Sequence, residues 1–331
     1  MIRNLIVLLC ALFLTAELAV RISSIDTLML KPLLYYQGSD PAAHEPSPNP
    51  ERIYQLKPGA RTRTTEFMKP VSVNSLGFRG TGHPASKTPG TTRVICLGGS
   101  TTYGAAVADN ETFPYYLEEI LNKKYKGKFE VWNAGLCAYV LSGEIAYARE
   151  IIAKYDPDIL IFQYANVGRR PFLPGMRHSP YFRSNPELFI ENLRYIPFPN
   201  SPLSLWLLRH SAAYRCAVVL ANCFMFMPSN NPQYNSETPN MARFSSFFAE
   251  NRNRIKIFIM PSKDWHDSPS EEFKKMLSAT GVSVLDIFSA GRLPPNASSE
   301  YYLTHPPAHV YKWYAEAISG ELSKYGAVSK K

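Results

Sequence analysis

Short apolar runs alternate with helix-period stretches over most of the chain. Arg93 to Leu97 (RVICL), Phe129 to Trp132 (FEVW), Asp158 to Phe162 (DILIF), Ile255 to Met260 (IKIFIM) and Val282 to Ile287 (VSVLDI) each suit a strand covered on both faces. Between them, Phe113, Leu117, Ile120 and Leu121 fall at i, i+4, i+7 and i+8. Ile145, Ala148, Ile151 and Ile152 repeat in a similar way, and a last helix is predicted from about Ala308 to Leu322. Strands alternating with helices at this spacing predict an α/β fold with a parallel five-stranded sheet between two helical layers.

Two stretches break the rhythm. Roughly ninety residues, 167–254, separate the third and fourth strands and are rich in Pro, Phe, Tyr and Arg. That is far beyond an ordinary connection and reads as an insertion over the end of the sheet. A helix is expected around Leu203 to Leu220, and a polar tip around Ser229 to Asn240. Residues 26–92 form an extended lead-in, within which VSVNSLGFRG (Val71 to Gly80) reads as a short strand and turn packed on the domain at 93–325.

At the start, Arg3 precedes an apolar run from Leu5 to Ala16 (LIVLLCALFLTA), the form of an export signal. Cleavage needs small residues at both positions of an Ala-x-Ala pattern, and the candidate sites put Leu14 or Glu17 at the first of them. An uncleaved signal anchor over residues 1–25 is therefore expected. The helix then reaches the ~20 residues that cross a bilayer, with Glu17 and Arg21 paired at i, i+4 near its far end. Cys10 follows Leu9 rather than a small residue, which argues against lipidation. The expected location is membrane-anchored, with the rest of the chain exported.

Composition narrows the classes further. The 331 residues include 45% hydrophobic and 19% charged, which excludes a disordered chain or a fibre. The mean hydropathy of -0.18 excludes a polytopic membrane protein. Thirty-six Lys+Arg against 27 Asp+Glu give +9, but the basic residues are scattered, so solvated faces are expected rather than a nucleic-acid site. Five cysteines show no metal-type spacing. In DWHD, Asp264, His266 and Asp267 fall in one loop without a fourth ligand, so no metal and no cofactor is expected.

In a doubly wound sheet, ligands bind beyond the carboxyl ends of the strands. After the first strand comes GGSTTYG, in which Gly98 and Gly99 allow a tight turn that exposes the Ser100 hydroxyl and its N–H. The second strand ends in NAGLCA (Asn133 to Ala138), the third in QYAN (Gln163 to Asn166), and His305 stands directly ahead of the last helix. These four blocks, in this order, resemble those of the SGNH/GDSL hydrolases. VNSLGFRG, DNETFPYYLEEIL and YDPDILIF look like a membrane-anchored, exported bacterial branch of that superfamily. The resemblance covers about Tyr54 to Asn166 and returns over Ile255 to Ile318.

The resemblance implies a three-layer α/β/α flavodoxin-like fold and ester hydrolysis. Ser100 would be the nucleophile and His305 the base, with an oxyanion hole made by the N–H groups of Ser100 and Ala138 and the side-chain amide of Asn166. Three departures stand out. The third block keeps only the amide of Asn166, with Tyr164 and Val167 in place of the family's glycine and aspartate. Ala138 replaces the oxyanion glycine, and Tyr302 replaces the acid three residues before the histidine. Loss of such an acid from a serine-protease triad costs about four orders of magnitude in rate. Tyr302 can accept a hydrogen bond through its hydroxyl but carries no charge, which leaves three alternatives: a Ser100/His305 dyad with a backbone carbonyl orienting the ring, Glu300 or another acid swinging in, and a pocket that only binds. His309, on the same terminal helix, is expected at the surface or in packing. His266 and, behind Asn166, Arg169 and Arg170 are candidates for substrate contact, as are Arg177 and His178 among aromatics. The export signal makes an O-acylated, especially O-acetylated, cell-envelope or secreted polysaccharide the expected substrate class. An O-acyltransferase and a noncatalytic polysaccharide-binding protein are the alternatives.

Overall fold

The computed structural model describes residues 2–23, 25, 42–49, 52, 54–64, 67–137, 139, 141–164, 201–225, 241–260, 271–287, 305–324 and 326–331. They divide into two compact units. One holds the N-terminal helix and the described part of the insertion up to Met225; the other holds the α/β core.

In the core unit, five strands form one sheet: β1 (Thr91–Gly98), β2 (Lys128–Gly135), β3 (Ile159–Gln163), β4 (Ile255–Met260) and β5 (Ser283–Asp286). All neighbouring pairs are parallel and the order is β2-β1-β3-β4-β5. This is the flavodoxin-like order, with its switch point between β1 and β3. The five sequence-predicted strands are these five. β1 and β3 are buried along nearly their whole length, which is why they read as unbroken apolar runs rather than alternating ones.

The helices, in chain order, are α1 (Ile2–Ser23), α2 (Ser100–Tyr103), α3 (Phe113–Lys124), α4 (Leu141–Tyr155), α5 (Pro202–His210), α6 (Ala212–Met225), α7 (Met241–Glu250), α8 (Glu271–Ala279) and α9 (Ala308–Lys324). Thr112 caps α3, its hydroxyl accepting from the Tyr115 N–H, and Pro114 occupies the first turn, where no amide donor is missed. Phe113, Leu117 and Leu121 of α3 join Val310, Tyr311, Tyr314, Ile318 and Leu322 of α9 in one fully buried cluster beside β1 and β2. On the other side of β3, Phe162 packs edge-on against Phe247 and Phe248 of α7. The last residues before β4 are thus a crossover helix of the core. The single helix expected over 203–220 is two helices, broken at Ser211.

The lead-in is ordered by its own polar turns. Arg61–Arg63 pairs antiparallel with Pro70–Ser72. The Asn74 carboxamide oxygen accepts from Leu76 and Phe78 N–H at 2.9 and 3.1 Å, and Gly77 takes the positive φ that the turn needs. Phe78 is thereby set edge-on to Trp132 of β2, with centroids 4.7 Å apart. Next to it the fully buried Arg93 lies 4.5 Å over the Trp132 ring. It donates to Glu130, to the carbonyls of Ala85 and Tyr155 at 2.8 and 2.7 Å, and to that of Pro84 at 2.9 Å. Every face of this buried cation is occupied, the condition for tolerating it there.

Candidate active site

Ser100 opens α2 directly after β1, with its neighbours Thr101, Thr102 and Tyr103 buried and Ser100 itself half-exposed. The turn is tight because two glycines leave no room for a side chain. A Cβ on Gly98 would lie 2.1 Å from Thr102 Oγ1, and one on Gly135, at the end of β2, would lie 2.1 Å from the Tyr103 nitrogen. The carboxyl ends of β1 and β2 are in register at Gly98 and Gly135, and the Leu136 N–H donates to the Gly98 carbonyl at 3.0 Å. The third strand joins them through Gln163, whose carboxamide oxygen accepts the Thr102 hydroxyl at 3.1 Å. The ends of the three strands that carry the first three sequence blocks therefore meet at the Ser100 turn.

The far side of the turn is held by residues that sequence reasoning did not single out. Arg79 donates to the carbonyls of Tyr103, Gly104 and Val107, the last two at 2.6 Å, and pairs with Asp109 at 3.0 Å. Asp109 in turn accepts from the Ser72 N–H and hydroxyl at 2.8 and 2.6 Å. The Gly104 backbone is left-handed, with φ +86°, and closes α2 by donating to the Ser100 carbonyl. Asn133 of the second block uses all its groups locally. Its side chain accepts from Gly135 N–H and donates to the Tyr103 carbonyl, and its own carbonyl accepts the Arg79 N–H.

His305 is buried, three residues before α9, and the packing of α9 on α3 fixes where that helix begins. His309, one turn on, is exposed. Of the other candidates, Ala138, Asn166, Tyr302, Glu300, Arg169, Arg170, Arg177, His178 and His266 lie outside the described residues. Chemically, the turn presents a primary hydroxyl on rigid backbone at the topological switch point, with the serine's own amide at the first turn of a helix.

No protein-family model matches the chain, and no curated protein matches it in sequence. Among solved structures, it aligns with a catalytic mutant of an acetylxylan esterase from Geobacillus stearothermophilus at 13% identity and a TM-score of 0.40, covering 70% of this chain and 94% of that one. A lipolytic protein of the G-D-S-L family from Desulfitobacterium hafniense aligns at 16% and 0.37, over 70% and 99% of the two chains. The psychrotrophic esterase EstA from a Pseudoalteromonas species aligns at 10% and 0.38, over 71% and 98%. In this chain itself, the sheet order is β2-β1-β3-β4-β5, with Ser100 directly after β1 and His305 ahead of the last helix.

Proposed function

We propose that the chain is a serine ester hydrolase of SGNH/GDSL type, anchored in a membrane by α1 and acting outside it on O-acetyl or other O-acyl groups of a cell-envelope or secreted polysaccharide. The observation that carries this reading is the Ser100 turn. It is pinned by Gly98, Gly135, Gln163 and Arg79, yet its hydroxyl-bearing residue is left half-exposed.

In this reading the Ser100 hydroxyl attacks the ester carbonyl while His305 accepts its proton. The carbonyl oxygen becomes an oxyanion held by the N–H groups of Ser100 and Ala138 and the amide of Asn166. Loss of one such donor costs roughly 3 kcal/mol of barrier. The C–O bond to the sugar then breaks, and the departing alkoxide takes the proton from His305. Water repeats the sequence on the acyl-serine, releasing the carboxylic acid and restoring the hydroxyl. A sugar hydroxyl in place of water would make the same intermediate a transferase. Tyr302 at the acid's position favours a second reading, a polysaccharide-binding protein without the chemistry.

The test is hydrolysis of p-nitrophenyl acetate and of an O-acetylated polysaccharide by the full chain in detergent. Hydrolysis abolished by Ser100→Ala supports the reading. Equal rates with and without the substitution remove Ser100 from it.

A further inference from the structure

The unit formed by α1 and the insertion has a polar joint of its own. Helices α5 and α6 are divided at Ser211, whose backbone is extended, and such a corner in the chain leaves carbonyls of the first helix and N–H groups of the second without intrahelical partners. Both sets are met from α1. The Glu17 carboxylate accepts the Ala212 N–H at 2.9 Å, the Ala213 N–H at 2.8 Å and the Ser211 hydroxyl at 2.8 Å. It thus caps the 14-residue helix α6 with a full negative charge at the positive end of its dipole. Arg21, one turn further along α1, donates to Glu17 at 2.7 Å and to the carbonyl of His210, the last residue of α5. Arg215 closes the corner from within, donating to the Leu208 and Arg209 carbonyls at 2.8 and 3.2 Å.

Three facts point the same way about what surrounds this joint. From Arg3 to Ser23, α1 is long and apolar enough to cross a membrane, and its apolar side chains from Leu5 to Ile22 are exposed except for the half-buried Val20. On α5, Leu203 and Trp206 are exposed too, at 62% and 57%. Beside Trp206 stands His210, its ring centroid 5.0 Å away, and Arg209 and His210 form a basic last turn. A tryptophan next to basic side chains, on a helix joined to a bilayer-length apolar helix near its end, has the composition of the membrane–water interface. A carboxylate late in such an apolar helix is expected to be paired within the protein, as Glu17 is.

We propose that α1 is retained in the mature protein as the seat of the α5–α6 pair, and that Leu203 and Trp206 rest in the lipid interface around it. The insertion is then a membrane-docked element, and Glu17 and Arg21 are its latch rather than the trailing residues of a discarded signal. Cleavage after Ala16 would sever Glu17 from the apolar helix that presents it, and cleavage after Ala19 would remove it. The proposal rests on the membrane part of the function proposed above and on none of its chemistry.

The experiment uses the full chain, purified from membranes and reconstituted in phosphatidylethanolamine/phosphatidylglycerol vesicles with brominated acyl chains. Its intact mass should include residues 1–23; a chain beginning after Ala16 or Ala19 overturns the proposal. Brominated lipid should quench its tryptophan emission, and Trp206→Phe should remove at least half of the quenchable part. Unchanged quenching in that variant overturns the lipid contact, even if the chain still sediments with membranes and the anchor stands. Glu17→Ala should speed tryptic cleavage at Arg209 and Arg215 several-fold, with thermal unfolding of the α/β unit unshifted. Equal cleavage rates in the two chains overturn the latch. None of these readouts involves ester hydrolysis, so an inert Ser100 would leave them intact.

Discussion

The guanidinium of Arg79 lies 4.5 Å from the centroid of the Tyr103 ring while it donates to the Tyr103 carbonyl, so one side chain holds both the ring and the backbone of the residue that ends α2. Arg79 is 4% exposed and Asp109 is its charged partner. A residue of the lead-in, 21 positions before Ser100, therefore sets the shape of the turn that presents the serine. Replacing Arg79 by Met removes the charged partner of Asp109 and the donor to three loop carbonyls. A loss of about 3–5 kcal/mol in urea unfolding is expected, together with at least a tenfold fall in ester hydrolysis. Arg79→Lys keeps the charge but not the fork, and should recover stability only in part.

Gly135 makes a second, independent contact with the same turn. A methyl there would meet the backbone of Tyr103 and Thr102 at 2.1 and 2.6 Å, atoms that cannot rotate away. Gly135→Ala should cost about 3 kcal/mol and reduce hydrolysis. Gly90→Ala has open space around it but a φ of +76°. It should cost stability through backbone strain while leaving hydrolysis per folded molecule unchanged.

Glu144 is fully buried in α4, and among the described residues neither carboxylate oxygen has a hydrogen-bond partner. Burial pushes its pKa well above the usual carboxylate range. The folded state then holds a proton that the unfolded state has lost above about pH 4.5. Stability contributed by this group is therefore present at acid pH and declines as pH rises towards the folded-state pKa. Glu144→Gln should flatten that decline, and Glu144→Met should raise neutral-pH stability by about 1–3 kcal/mol. Urea midpoints at pH 5 and 8 measure both.

His83 behaves in the same sense for a different reason, a hydrogen-bonded partner rather than burial. Its Nε2 lies 2.8 Å from Glu118, its ring stacks on Trp132, and the hydrogen bond to Glu118 raises its pKa above 6.5. The stabilisation is complete below the unfolded value of 6.5 and is lost as pH rises through the folded one. His83→Asn should lower stability at pH 6 and change it little at pH 9.

The missing acid gives a chemical prediction. If Ser100 and His305 act together, Tyr302→Asp should supply the charge that orients the imidazole and stabilises its protonated form, raising the rate tenfold or more. An unaltered rate would mean that the ring is oriented by another group.

Much of this was legible in the sequence because burial on both faces writes strands as continuous apolar runs, and β1 to β5 fall where those runs do. The Ser100 turn was legible for a related reason: a Cβ would strike the Thr102 side chain at Gly98 and the Tyr103 backbone at Gly135, so close approach leaves glycine as a visible mark. What stayed hidden depends on partners far along the chain. Nothing local to Arg79 says that it reaches the carbonyls after Ser100, and nothing local to Glu17 says that it caps a helix about two hundred residues later. Ser211 broke the helix expected over 203–220 because its hydroxyl caps α6, accepting the Tyr214 N–H at 3.0 Å, a choice the apolar periodicity on either side conceals.

The central claim is that Ser100 is a nucleophile activated by its surroundings. It is tested most directly by treating the full chain with a fluorophosphonate and locating the adduct by peptide mass spectrometry. The account predicts a single phosphonylated residue, Ser100, with labelling lost in Ser100→Ala and slowed at least tenfold in His305→Ala. A folded chain that stays unlabelled at Ser100, or is labelled equally well without His305, would contradict it.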